Sequence, residues 1–206
     1  MKTTKQWTDT FGVSFEETET GVKISGVSKD SPLRRADKTK PSLQPEYIIP
    51  DGVTEIGDRA FEGCDGLHCV LIPSSVTKIG FGAFNGCEYL RSTINEVPEK
   101  FKGNKYMMCF YVSTFIIPNS VTEIGEWAFH SCKSLDKVII SNAVTKIKEH
   151  TFEYCSALRM AIIPASVVEI ESNAFYNCRI KSVEIAKEAK FKKDSFDKGV
   201  EITRWE

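Results

Sequence analysis

Three columns of side chains recur in this sequence every 22 or 23 residues, and they constrain the fold more than any other feature. Ile-Ile-Pro or a close variant ends at Pro50, Pro73, Pro118, Ser141 and Pro164, and the one interval of 45 residues divides as 22 plus 23 at Asn95. The fourteenth position after these six boundaries is Cys64, Cys87, Cys109, Cys132, Cys155 and Cys178, six of the seven cysteines. The eleventh is Phe61, Phe84, Tyr106, Phe129, Phe152 and Phe175; the sixth is Ile56, Ile79, Phe101, Ile124, Ile147 and Ile170. A unit this short cannot enclose a core alone, so burial must come from laying each unit on the next. At a strand spacing of about 4.8 Å, six units make a stack of roughly 30 Å.

Within a unit, Leu67-x-x-Val70-x-Ile72 alternates as a strand does, which predicts Leu67, Val70 and Ile72 inward and Cys69 and Leu71 outward. Pro73, lacking an N–H, closes that strand. Val-Thr-x-Ile predicts a second short strand on the opposite wall, with Gly57, Gly80 and Gly125 where the backbone turns. The following x-x-Ala-Phe-x-x-Cys reads as one helical or 3-10 turn. Residues 12–27 read as a β-hairpin cap, with Val13 and Phe15 on one arm, Val22 and Ile24 on the other and Gly21 near the turn. The expected organisation is a cap hairpin and loop over 1–45, six repeats over 46–186, and a fading capping repeat over 187–206 that keeps Phe191 and Phe196.

The consensus Pro-x-x-Val-Thr-x-Ile-Gly-x-x-Ala-Phe-x-x-Cys-x-x-Leu-x-x-Val-x-Ile, as in Pro50 to Ile72, resembles the BspA-like class of leucine-rich repeats. The resemblance implies a leucine-rich-repeat solenoid, a right-handed β/α-type superhelix of mostly short parallel strands with short helical or 3-10 turns. It also implies a binding scaffold, names no ligand, and points to a cell-surface or secreted adhesive protein. No apolar leader follows Met1–Trp7 in the chain as given, so a cytoplasmic address is the alternative.

Composition narrows the function. With 27 basic against 28 acidic residues, no overall field draws in nucleic acid, and no apolar run of about 18 residues is present to insert in a membrane. One cysteine per unit reads as a small apolar filler with a free thiol, because no C-x-x-C pair or Cys/His cluster accompanies it. Cys69, outside the column, is the thiol expected to react in the folded state. His68, His130 and His150 are the near-neutral bases, and Ser74-Ser75 near His68 lacks a nucleophile motif. No metal, cofactor or catalytic residue is expected. The leading reading is a binding module for a protein or glycan; the alternatives are a structural spacer and, remotely, an enzyme.

Two surfaces are candidates for the partner. Leu71, Ile116, Ile139 and Ile162 occupy the outward strand slot of successive units, an aliphatic stripe on the concave wall bordered by His68, Arg91, Asp136, Lys137, Arg159 and Met160. Stacked β-branched residues serve a strand equally well without a ligand. The third unit is irregular, with Asn95, Pro98, Lys102 and Lys105 off consensus, and it carries Met107, Met108, Phe110 and Tyr111 where other units are polar or small. That cluster, extended by Tyr89 and Trp127, reads either as a ligand or homodimer contact or as side chains buried by a twisted coil. The basic loop over 28–45 reads as a solvated insertion or as a phosphate or sulfated-sugar site.

Overall fold

The computed structural model describes residues 5–35, 46–93 and 114–205. The cap strands are β1 (Gln6–Thr8), β2 (Val13–Thr18) and β3 (Gly21–Val27). After a 3-10 helix at Pro32–Arg34 come β4 (Glu46–Ile48), β5 (Val53–Ile56), β6 (Cys69–Leu71), β7 (Lys78–Ile79) and β8 (Ser92–Thr93). The second half holds β9 (Thr114–Ile116), β10 (Glu123–Ile124), β11 (Lys137–Ile139), β12 (Lys146–Ile147), β13 (Met160–Ile162), β14 (Glu169–Ile170), β15 (Ser182–Ala186), β16 (Lys190–Phe191) and β17 (Glu201–Trp205).

These strands build two walls of a solenoid with about six turns. The first wall runs β4-β6-β8, then β9-β11-β13, then β15-β17, all parallel pairs. The second runs β3-β5-β7-β10 and β12-β14-β16, also parallel. The predicted hairpin is present as antiparallel β2 and β3, and β3 covers the first edge by pairing with β5. Asp9 fastens the cap: one carboxylate oxygen accepts the N–H groups of Phe11 and Val13, the other the Tyr47 hydroxyl at 2.7 Å.

Between the walls the columns lie on one another. Phe61, Phe84, Phe129, Phe152, Phe175 and Phe196 form one stack with centroids 5.2–5.4 Å apart and ring planes within 9° of parallel. Each such contact adds about 0.5–1.5 kcal/mol beyond burial. Beside it runs a thiol column, free throughout its described members. Cys87 donates to the Phe61 carbonyl at 3.0 Å, Cys132 to Phe84 at 3.3 Å, Cys155 to Phe129 at 3.1 Å and Cys178 to Phe152 at 3.3 Å. The thiol therefore does more than fill space, since it supplies a donor to a buried carbonyl of the coil below. Burial pushes the Cys64 and Cys155 thiols up to about 12, which keeps them protonated.

Four expectations change. The Ala-Phe-x-x-Cys segment is not helical: it is a run of tight turns closed by Ala60 to Gly57, Glu62 to Arg59, Cys64 to Phe61 and Leu67 to Cys64. Two left-handed residues per coil prevent a helix, Arg59 and Gly63 in the first and Trp127 and Ser131 in the fourth unit. Gly57, Gly80 and Gly125 do not have positive φ; they are needed because neighbouring coils come too close for a Cβ. Cys69 is buried, not reactive at the surface, and shares a hydrogen bond with Ser92 of the next coil at 3.1 Å.

The fourth change concerns the third unit. Counting by the repeat puts Phe101 between Ile79 and Ile124, yet these two are direct partners, as are the Phe84 and Phe129 rings. The first wall, by contrast, holds β9 between β8 and β11. Among the described residues, one wall thus has a strand that the other lacks. Phe115 fills the wedge: it occupies the slot of Val138, is fully buried, and meets Phe84 and Phe129 edge-on at 6.4 and 5.1 Å. Phe101, Tyr106, Met107, Met108, Cys109, Phe110 and Tyr111 lie outside the described residues.

Candidate functional site

The outward face of the first wall is built by strand alternation. Val70, Phe115, Val138 and Ala161 point into the core, so their neighbours along each strand point out. Parallel registry aligns Ile48 with Leu71, and Ile116 with Ile139 and Ile162. The stripe is therefore continuous within each half of the wall. Ile48 and Ile162 are 47% and 43% exposed, while Leu71, Ile116 and Ile139 are half-buried by their neighbours in the row. Ile48 is a member that the sequence count left out, although its Ile-Ile-Pro context carried the signal.

The border residues differ in role. Asp136 and Arg159 face each other through two hydrogen bonds of 2.6 and 2.8 Å, and the guanidinium holds the Asp136 carboxyl below the usual range. Arg91 and Met160 are exposed, and Lys137 is half-buried. His68 is half-buried, its ring stacked on Tyr89 at 5.4 Å, and its Nε2 has no partner among the described residues. Trp127, expected to extend the third-unit cluster, stacks on His150 at 4.1 Å and meets His130 at a tilt at 4.7 Å. Arg34, from the basic loop, is occupied by the carbonyls of Val27, Ser28 and Glu62. Residues 36–45 of that loop lie outside the described residues.

Burial, with a smaller contribution from Arg91, pushes His68 down from 6.5 to about 4. The unfolded chain accepts this proton near 6.5 and the folded chain does not, so the stabilisation is full above that pH and is lost progressively as pH falls toward 4. His68→Phe keeps the ring stack and removes the titration. Between about pH 7 and about pH 5 the wild type should lose more urea-midpoint stability than the variant. Equal losses would show that His68 does not titrate in this way.

Sequence reasoning missed a polar row on the turn face. His130 Nδ1 lies 2.9 Å from Asn85 Oδ1, and the buried Glu153 carboxylate meets His150 Nδ1 at 2.8 Å and His130 Nε2 at 3.5 Å. Burial lowers His130 against the opposing pull of Glu153. These histidines are tied into coil-to-coil bonding rather than poised over a nucleophile. Among the described residues no group of three or more His, Cys, Asp or Glu is placed to hold a metal ion, and no helix is long and apolar enough to cross a membrane.

The chain matches the BspA type leucine rich repeat region in six copies, over residues 42–156 and 92–203. Its structure is similar to that of a leucine rich cell surface protein from Faecalibacterium prausnitzii, with a TM-score of 0.62 and 21% identity, covering 97% of this chain. The chain spans 54% of that protein's length. A leucine-rich repeat protein from Bacteroides capillosus matches at 17% identity over 100% of both chains, TM-score 0.38, and one from T. pallidum at 24% over 75% of this chain and 80% of that one, TM-score 0.37. No curated protein matches the sequence.

Proposed function

The chain belongs to the BspA-type leucine-rich repeat family, and from that premise we propose that it is a non-catalytic module that holds a protein or glycan against the first wall. The observation that carries this reading is the aliphatic stripe, registered from Ile48 to Leu71 in one half of the wall and from Ile116 through Ile139 to Ile162 in the other. Its ends are about half exposed, on a face where a chain with no partner gains from polar residues. Met160, 49% exposed beside Ile162, widens the apolar area, and the Asp136–Arg159 pair gives it a polar rim, the composition of a contact surface. A cell-surface or secreted setting is part of the proposal, supported by the similarity to the leucine rich cell surface protein from Faecalibacterium prausnitzii.

The test is a binding screen of the purified chain against immobilised matrix proteins and neutral glycans. Ile139→Asp puts a carboxylate in the centre of the stripe and should weaken any saturable binding by about 30-fold, with the melting curve showing that the variant stays folded. A panel on which neither protein binds, or on which both bind alike, removes the stripe as the site and returns the spacer reading.

A further inference from the structure

Several basic side chains along the coils are matched with acids. Lys23 pairs with Glu16, Lys78 with Glu55, Lys133 with Glu88, Lys146 with Glu169 and Glu171, and Lys148 with Glu123. An open cleft of about 810 Å³ at the C-terminal end of the solenoid gathers cations that are not so matched. Arg159, Arg179, Lys181 and Lys198 line it, over an apolar floor that includes Ile180 and Val200. All four cations are exposed, and among the described residues only Arg159 has an acidic ion-pair partner, Asp136. The one carboxylate in the lining, Asp197, spends its oxygens on the backbone N–H groups of Asn177 and Cys178, at 2.9 and 3.0 Å. Glu201 begins the adjacent strand and donates its N–H to the Lys181 carbonyl, but its side chain does not line the cleft.

What sets Arg179, Lys181 and Lys198 apart is that they converge on one cavity, a local positive excess in a chain whose net charge is −1. We propose that this cleft binds an acidic oligosaccharide, taking its carboxylate or sulfate groups on Arg179, Lys181 and Lys198 and a sugar's C–H face on the half-buried Val200. A guanidinium presents paired donors that fit either anion, Val200 adds an apolar contact that a bare anion would leave unused, and the volume lies in the range of small-ligand sites. The site adjoins the aliphatic stripe at Arg159, but Arg179, Lys181 and Lys198 lie outside the stripe and its rim, and the proposal does not depend on the stripe.

Calorimetric titration tests this with three probes: a heparin-derived tetrasaccharide, a hyaluronan tetrasaccharide and inorganic sulfate. The expected result is saturable binding of at least one oligosaccharide, weaker at higher salt, and reduced about tenfold or more in Arg179→Ala/Lys181→Ala. Whichever oligosaccharide binds tighter identifies the anion as sulfate or carboxylate. Both substitutions are at exposed side chains, so melting should be unchanged, and Ile139→Asp should bind the sugar as the wild type does. No binding by either oligosaccharide, undiminished binding by the double variant, or sulfate binding as tightly as the sugars would each overturn the proposal.

Discussion

Alanine in place of Phe129 should cost about 4 kcal/mol of stability, more than the same change at any other ring of the stack. Phe129 is the junction of the core. Its ring lies parallel to Phe84 at 5.4 Å and to Phe152 at 5.2 Å, and it receives the edge of Phe115 at 5.1 Å. Removing it leaves a void that neighbours on three sides cannot fill, because each is held by its own coil. Phe196, at the end of the stack, has Phe175 and Phe191 as ring partners and is 6% exposed, so Phe196→Ala should cost about half as much. Urea unfolding of both variants checks the ordering. Equal losses would mean that the wedge at Phe115 adds nothing to the junction.

The second large effect is expected from Gly125→Ala, about 3 kcal/mol. A Cβ there would stand 2.5 Å from the Gly80 carbonyl carbon and from Phe81 N, and 2.6 Å from Gly80 O. All three are backbone atoms of the neighbouring coil, so no side chain can rotate away. Relief requires the coils to part, and with them the pairing of Ile79 and Ile124. Lys148 holds the same slot one unit later and already carries a side chain, so Lys148→Ala is the matched control and should lose only the Glu123 ion pair, under about 1 kcal/mol at the surface. A Gly125→Ala variant as stable as the wild type would mean that the coils are not in contact at this point.

Much of this architecture could be read directly from residues. The Phe and Cys columns, the hairpin at 12–27 and the alternation that exposes Ile139 all follow from spacing, because a stacked repeat turns sequence interval into spatial neighbourhood. The turns did not show themselves, since the left-handed slots hold Arg59, Trp127, His150, Tyr154 and Asn173 as well as glycines, and these residue types hide the backbone demand. Counting by intervals also failed at the third unit. The information was present in the charges: Lys78 and Lys100 fall in the same slot, and stacking one on the other would oppose like charges, whereas Lys78 beside Glu123 does not. The C-terminal cleft was hidden by a one-residue contraction. Constant spacing gives Lys181 the inward leucine slot, but the structure buries Ile180 there and turns Lys181 out to the cleft.

That second wall carries Lys23, Glu55, Lys78 and Glu123 in one sheet and Lys146, Glu169 and Lys190 in the next, each paired in register with a residue of opposite sign. Such a column obeys a parity rule. Removing or duplicating a single winding brings two equal signs together, while removing or duplicating two leaves every neighbour opposite. A lineage that lengthens or shortens this protein by recombination is thereby steered toward even steps.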